Sequence, residues 1–255
     1  MNIILAIDIG NSNVVIGCIT EGGVIFSDRI ETASTYSWIE YAAYIRSVLD
    51  KGNIDINEIK GSIISSVVPE LTNVLKKAVE TVSNTNALIV GPALKHNLNI
   101  MVHNPEQLGS DRVADAVAAI HYYSKPVIIF DMGTATTVSV VDDSCNFLGG
   151  LIMLGVKSAL EALSAKASQL PEVKFEDCKN IIGKNTLECM RSGSIYGHAA
   201  MVDGIIKKLK KQVGEHATVV CTGGLAQLII QHCEEVIIYD EYLLLKGLYL
   251  LYEKN

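Results

Sequence analysis

Two aspartates of this chain lie in the same local pattern: an apolar run, then Asp-x-Gly, then short polar residues, then a second apolar run. The first copy is ILAIDIGNSNVVIGCI, which contains Asp8, and the second is VIIFDMGTATTVSVVD, which contains Asp131. One such turn is usually structural, because glycine supplies positive φ and aspartate bonds the local backbone. Two copies in matched register indicate a shared chemical task. Backbone N–H groups and small hydroxyls bind phosphate chains, and carboxylates hold the accompanying cations or their water.

The polar residues after each aspartate are the candidate phosphate ligands. They are Asn11, Ser12, Asn13, Thr134, Thr136 and Thr137. Aligned without a gap from the two aspartates, Ser12 corresponds to Ala135 and Val14 to Thr137. We expect the two hairpins to face each other across a cleft and to hold a polyphosphate from both sides.

A third candidate group lies in HNPEQLGSDRVADAVAAIHYY, between the two copies. Ser110 and Asp111 open a helical pattern there, so Ser110 could cap the helix and Asp111 could sit in its first turn, where the macrodipole favours an anion. The alternative is chemical. A carboxylate beside a transferred phosphoryl group can accept the proton of an attacking hydroxyl, and Arg112 can neutralise an anionic group. Residue chemistry alone leaves both interpretations open.

Strands and helices must position these residues. Apolar, β-branched runs on either side of Asp-x-Gly predict a strand–turn–strand unit. Further along each copy, GSIISSVVPELTNVLKKAV and ATVVCTGGLAQLIIQHC both predict a strand, a small-residue turn and a helix. Helical periodicity is present in SWIEYAAYIRSVLD, SDRVADAVAAIHYY, VKSALEALSAKAS, AAMVDGIIKKLKKQV and EYLLLKGLYLLYE. We therefore predict two similar α/β halves, residues 1–118 and 119–255, with a nucleotide cleft between them.

Composition narrows the class of protein. A chain of 255 residues that is 49% hydrophobic supports a well-packed core. Its net charge of −7 argues against a nucleic-acid-binding protein, which usually has a basic face. No apolar run is long enough to span a membrane, and the basic run KKLKK is most simply a solvated helix face. The six scattered cysteines lack C-x-x-C spacing, so they predict reduced thiols in a cytoplasmic protein rather than a zinc site.

Seven stretches form an ordered pattern through nearly the whole chain. They are DIGNSN, ISSVVP, NPEQLGSDR, DMGTATT, GGLIMLG, GKNTLECMRSG and CTGGLA. This pattern resembles the type III pantothenate kinases, within the superfamily of acetate and sugar kinases, Hsp70 and actin. The resemblance implies a duplicated ribonuclease-H-like α/β fold. It also implies ATP-dependent phosphorylation of pantothenate to 4′-phosphopantothenate, the first step of coenzyme A synthesis.

The resemblance also implies roles for the residues that match the family motifs. The first ATP-phosphate segment corresponds to Asp8, Ile9, Gly10, Asn11, Ser12, Asn13, Val14 and Val15. The pantothenate contacts correspond to Gly109, Ser110, Asp111, Arg112 and Thr186. Among these, Asp111 is implied to be the proton acceptor, while Thr134 contacts ATP and Asp131 binds a monovalent cation, K⁺ or NH₄⁺. Mg²⁺ is expected to arrive with ATP, held mainly by phosphates and water.

Several positions depart from the family pattern. Val102 stands where a tyrosine is usual, which changes one expected pantothenate contact. Leu154 replaces a proline, and Ser12 replaces a threonine but keeps the hydroxyl. Since none of these changes removes a proposed catalytic group, we expect an active enzyme. The alternatives are a non-catalytic ATP-binding regulator of the same fold and a kinase for another small hydroxy acid.

The resemblance further implies a homodimer whose pantothenate pocket lies at the subunit contact. The stretch GKNTLECMRSGSIYGHAAMVDGIIKKL mixes small residues with apolar ones, a composition that allows close helix packing. We therefore expect Ile195 and Val202 at the interface, although an ordinary core helix has the same pattern. The stretch YLLLKGLYLLY predicts a terminal helix that packs either on the core or at the interface.

Overall fold

The computed structural model describes residues 2–255. Its strands are β1 (Ile3–Ile9), β2 (Asn13–Thr20), β3 (Gly23–Glu31), β4 (Ile59–Ser66), β5 (Ala87–Ile89), β6 (Asn99–Ile100), β7 (Val127–Met132), β8 (Ala135–Val141), β9 (Asn146–Leu154), β10 (Thr218–Thr222) and β11 (Ile238–Tyr239). Its α-helices are α1 (Trp38–Lys51), α2 (Pro69–Ser83), α3 (Ser110–Tyr122), α4 (Val156–Lys166), α5 (Thr186–Val213), α6 (Ala226–Ile230) and α7 (Leu243–Glu253). Two short 3₁₀ helices cover Ile56–Glu58 and Pro105–Gln107.

These elements form two compact units. The first contains the chain up to Leu98, Val102–His121 and Tyr242–Asn255, and the second contains Asn99–Met101 and Tyr122–Glu241. The C-terminal segment therefore belongs to the first unit, although it comes after the second along the chain. The predicted halves, 1–118 and 119–255, and the cleft between them stay predictions.

The first unit is built on a five-stranded sheet in the order β3-β2-β1-β4-β5. The first three strands form an antiparallel meander, and β4 and β5 run parallel to β1. The central strand β1 is buried along its length except at Asp8, which is half-buried near its carboxyl end. A continuous apolar run is what a strand covered on both faces requires, so the polar residue that interrupts it marks the end where ligands can approach.

The second unit repeats this sheet. Its six strands lie in the order β11-β10-β7-β8-β9-β6. Apart from β6, which adds to the edge, the strand order and directions match those of the first unit, with a β7–β8–β9 meander and β10 and β11 parallel to β7. The repeated topology confirms the predicted duplicated α/β fold.

The helices begin and end largely where their sequence signals predict. At α1, the Ser37 hydroxyl accepts the N–H of Glu40 while the Glu40 carboxylate accepts the N–H of Ser37, which is a capping box. The exception is α5, which begins at Thr186 instead of near Ala199. Its first half contains glycines and serines, whose low helix propensity hides the periodicity.

For α7 and α5, burial shows whether the predicted residues pack in the core or lie at a subunit interface. Helix α7 packs on the first sheet, with Leu245 and Leu248 buried and Gly247 against the backbone of Ala114, so the core alternative for this helix is confirmed. On α5, Ile195 and Val202 are 0% and 1% exposed within the core of the second unit. The prediction that these two residues form a subunit interface is therefore wrong. No helix among residues 2–255 is both long and apolar enough to cross a membrane.

Candidate functional site

The first hairpin loop, residues 10–12, joins β1 to β2 in the first unit. The Gly10 N–H donates to the Asn13 carbonyl at 3.0 Å and closes the turn. The side chains of Ile9 and Val14 are fully buried, so within the predicted ATP segment these two residues can offer only their backbones. The side chains exposed at the tip are Asn11, Ser12 and Asn13.

Thr32 holds this loop in place, and the sequence motifs do not identify it. It is the first residue after β3. Its Oγ1 donates to the Gly10 carbonyl at 2.7 Å, and its N–H donates to the Ser12 carbonyl at 3.0 Å. Only the third strand of the meander, which brings the chain back beside the loop, could have indicated this residue.

The second hairpin loop, residues 133–134, joins β7 to β8 in the second unit. The Gly133 N–H donates to the Ala135 carbonyl at 3.0 Å. The Thr134 carbonyl accepts the Gly155 N–H at 3.1 Å and the Ser158 hydroxyl at 3.0 Å. The Thr134 side chain is exposed at the tip. Residues just after β9 therefore secure this loop.

The two loops differ in length by one residue. Across the strand pairs Asp8 lies opposite Val15, and Asp131 lies opposite Thr137. The gapless correspondence of Val14 with Thr137 is therefore wrong by one position, because the first loop has an additional residue. The expected ligand Thr136 is only 3% exposed and lies on the opposite face of β8 from Thr137.

The stretch GSDR, residues 109–112, is bonded to the strand beside Asp8. In the sheet, Asp8 of β1 lies opposite Ser65 of β4. The Ser110 Oγ accepts the Ser66 N–H at 2.9 Å, lies 3.0 Å from the Ser66 carbonyl, and is 3.0 Å from the Ser65 hydroxyl. These bonds place the start of α3 at the carboxyl ends of β1 and β4, together with the first hairpin loop. They also explain the ISSVVP motif, whose serines receive this helix.

The Asp111 carboxyl lies in the first turn of α3. Its Oδ1 accepts the Arg112 N–H at 2.8 Å and lies so close to Gly109 that a Cβ added there would clash with it. Burial raises the pKa of this carboxyl, and the Arg112 N–H and guanidinium partly oppose the rise. The Ser110 hydroxyl bonds β4 and not the first turn of α3, so the capping interpretation of Ser110 is wrong.

Arg112 stays a cation beside this carboxyl. Burial lowers the pKa of its guanidinium, while the charges of Asp111 and Asp115 oppose that change. Arginine nevertheless remains protonated in proteins. Asp115, one turn further along α3 and 2% exposed, is a residue that the motifs do not identify.

Thr186, the other predicted pantothenate contact, lies in the second unit as the first residue of α5. The Asn185 side chain caps this helix by accepting the Glu188 N–H at 2.9 Å. The preceding segment, 167–185, has no helix or strand and is anchored to α5, where Arg191 pairs with Glu176 at 2.9 Å. Thr186 is therefore an exposed residue on a locally fixed turn.

Comparison with known proteins decides the family. The model of the type III pantothenate kinase family matches residues 4–208. The chain belongs to the type III pantothenate kinases. A type III pantothenate kinase of Exiguobacterium sp. strain AT1b is 41% identical over 252 residues, which cover 99% of each chain.

Solved structures agree on the fold of this type III pantothenate kinase. A protein described as a Baf family transcriptional activator from Campylobacter jejuni aligns with a TM-score of 0.60 and 18% identity, covering 98% of each chain. The inorganic polyphosphate/ATP-glucomannokinase of Arthrobacter sp. strain KM aligns with a TM-score of 0.52 and 10% identity over all of both chains. At these identities the likeness concerns the fold alone.

The ionic chemistry expected of a type III pantothenate kinase fits the donors present. No group of three or more His, Cys, Asp or Glu within residues 2–255 is placed to hold a metal ion by itself. A kinase of this family uses ATP together with a divalent metal. In the sheet, Asp131 lies opposite Thr137 of β8 and Thr222 of β10, both of which carry side-chain hydroxyls.

Proposed function

We propose that this enzyme transfers the γ-phosphoryl group of ATP to the 4′-hydroxyl of pantothenate, with Asp111 as the general base. The observation on which this rests is the placement of the Asp111 carboxyl. It folds over Gly109 at the start of α3, and Ser110 ties that point to β4 beside the first hairpin loop. A base and a phosphate-binding loop are thus fixed to neighbouring strands of one sheet.

Asp111 accepts the proton as the acceptor hydroxyl attacks. The hydroxyl oxygen forms a bond to the γ-phosphorus, the bond from that phosphorus to the β–γ bridging oxygen breaks, and ADP leaves. The hydroxyl proton moves to the Asp111 carboxylate. The raised pKa of this carboxyl makes it a stronger base than an ordinary aspartate, while Arg112 beside it can pair with the pantothenate carboxylate.

In this proposal the segment Asp8–Val15, which contains the first hairpin loop, supplies nucleotide contacts. Thr134, in the second hairpin loop, supplies a further one. Mg²⁺ accompanies ATP and neutralises charge on its phosphates. Asp8 would bind water of that ion. Asp131 binds K⁺ or NH₄⁺, with the threonine hydroxyls on the adjacent strands as neighbouring donors.

The direct test is ADP release. We expect the purified protein with Mg·ATP and K⁺ to release ADP on addition of pantothenate, and to release none above background with a panel of small alcohols and hydroxy acids. Release with another hydroxy acid and not with pantothenate would assign a different acceptor. ATP binding without turnover of any acceptor would favour a regulator.

We also propose a homodimer, with a different surface from the one that the sequence pattern suggested. Several large apolar side chains of the second unit are exposed, among them Ile152 at 71%, Ile181 at 65% and Ile182 at 77%. Leu187, next to Thr186, is 43% exposed. Exposed apolar side chains are typical of an interface, and Ile181, Ile182 and Leu187 lie close to Thr186 in the sequence. Sedimentation at assay concentration tests this, and a fully active monomer would contradict it.

We place the enzyme in the cytoplasm, where its six free cysteines stay reduced.

A further inference from the structure

Thr32 makes two hydrogen bonds to opposite ends of the first hairpin loop. Its hydroxyl donates to the Gly10 carbonyl at 2.7 Å, and its N–H donates to the Ser12 carbonyl at 3.0 Å. Both carbonyl groups therefore point toward Thr32. The residue is half-buried and comes directly after β3, so its own position is set by the sheet.

Because a peptide group is planar, these two bonds also fix the directions of the N–H groups that follow the two carbonyls. In a trans peptide the N–H of one residue points opposite to the carbonyl of the residue before it. With the Gly10 and Ser12 carbonyls directed at Thr32, the N–H groups of Asn11 and Asn13 point away from it. Two N–H groups on the open side of a short loop form the kind of concave donor site that binds phosphate oxygens.

We propose that Thr32 is a positioning residue for the phosphates of ATP, an inference that rests on the proposed kinase function. It acts through the loop and does not itself touch the nucleotide. By binding the loop carbonyls it prevents the peptide groups from turning over, which would direct carbonyl oxygens at an anionic ligand. Thr32 thereby fixes the sign of the partial charge that the loop presents to ATP.

In the second unit, different residues hold the hairpin loop in a similar way. The Thr134 carbonyl accepts the Gly155 N–H at 3.1 Å and the Ser158 hydroxyl at 3.0 Å, which directs the N–H of Ala135 to the opposite side. Gly155 comes directly after β9, just as Thr32 comes directly after β3. A backbone N–H just after the third strand and one added hydroxyl thus secure the loop in each unit. Ser158 is the counterpart of the Thr32 hydroxyl.

The test compares Thr32→Val, which removes the hydroxyl at nearly constant volume, with Thr32→Ser, which restores it. We expect Thr32→Val to raise the KM for ATP about 10-fold, the effect of losing one buried hydrogen bond, while the KM for pantothenate is unchanged. Thr32→Ser should return the KM for ATP to the wild-type value. Thr20→Val is the matched control, because the Thr20 hydroxyl bonds the Gly23 carbonyl at the far end of the same meander.

Calorimetric binding separates positioning from a general structural effect. Thr32→Val should weaken the binding of ADP and leave the binding of adenosine unchanged, because adenosine has no phosphate for the loop to hold. Ser158→Ala should show the same difference, and Ser164→Ala on the same helix should not. An unchanged KM for ATP in Thr32→Val, or equal weakening of ADP and adenosine, would overturn the proposal. Turnover of pantothenate by the wild-type enzyme in the same assay would support the proposed kinase function whether or not Thr32 has this role.

Discussion

In the first hairpin loop, Thr32 alone supplies the side-chain hydroxyl and the backbone N–H that hold the loop, whereas in the second these bonds come from Gly155 and Ser158. The parallel strand beside each loop differs more. Strand β4 ends in serines that bond Ser110 and so position Asp111, while β10 ends at Thr222 and the next residue, Gly223, lies close to the backbone of β7. The two sheets share one topology, so the difference in chemistry lies in the residues at the carboxyl end of the parallel strand and in the helix start that they receive.

The largest expected effect concerns Asp111, for which the second unit shows no counterpart at the end of β10. Asp111→Asn keeps the size and the bond from the Arg112 N–H but removes the proton acceptor, so we expect kcat to fall about 10²–10⁴-fold with ATP binding little changed. Steady-state kinetics and nucleotide titration measure the two quantities. Glu106→Gln, which removes an exposed carboxylate just before α3, is the control and should have wild-type kcat. A folded Asp111→Asn variant with near-normal turnover would contradict the general-base role of Asp111 and with it this difference between the two units.

The aspartates near the carboxyl ends of β1 and β7 should bind different ions. Asp131→Asn should lower K⁺ affinity at least about 10-fold, and activity should then be the same in K⁺ as in a bulky organic cation. The corresponding change Asp8→Asn should leave the K⁺ requirement in place and raise the Mg²⁺ concentration needed. Activity of the wild type that is identical in both monovalent salts would contradict a cation site at Asp131.

The glycines near the two loops should differ in their tolerance of a side chain. Gly223 has a φ of +100°, and an added Cβ would lie 2.6 Å from the Met132 carbonyl oxygen. Gly223→Ala should therefore cost roughly 3 kcal/mol and lower Tm by about 5–10 °C. At Gly10 the added Cβ would lie 3.1 Å from the Asn13 carbonyl oxygen, without a positive φ, so Gly10→Ala should be milder in a thermal melt. Equal losses at the two positions would contradict this difference.

The smallest effect is the dependence of stability on pH. Because burial raises the pKa of Asp111 in the folded protein, its contribution to stability is present below the unfolded pKa and is lost as pH rises through the folded pKa. At neutral pH the ionised carboxylate therefore destabilises the fold, and Asp111→Asn should melt at a higher temperature than the wild type. Thermal melts should show this gap closing as the pH is lowered toward about 4. A lower Tm for the variant at neutral pH would favour the helix-terminus interpretation of Asp111.

Local patterns predict much of this structure. The paired Asp-x-Gly turns, the strand–turn–helix units and the position of Asp111 at a helix start depend on residues close in sequence, and the structure has them. The bonds from Thr32 to Gly10 and from Ser110 to Ser66 connect residues separated by 22 and 44 positions, so no local pattern reveals them.

Two errors have physical causes of the same kind. The additional residue in the first loop is invisible to a gapless comparison, because only strand pairing shows where each turn closes. Ile195 and Val202 have the apolar character that both a core and an interface require, and burial alone distinguishes the two.

The position of α7 has a consequence for synthesis of the chain. This helix packs on β1, β2 and β4, which are made first, yet it is translated after the whole second unit. During translation, one apolar face of the first sheet therefore stays uncovered until α7 has been made. The second unit can complete its own sheet before that point. A nascent chain that stops near residue 241 would retain the candidate catalytic residues but lack the helix that covers this face. Such a product is a natural substrate for chaperones and proteases, because exposed apolar sheet surface is what they recognise.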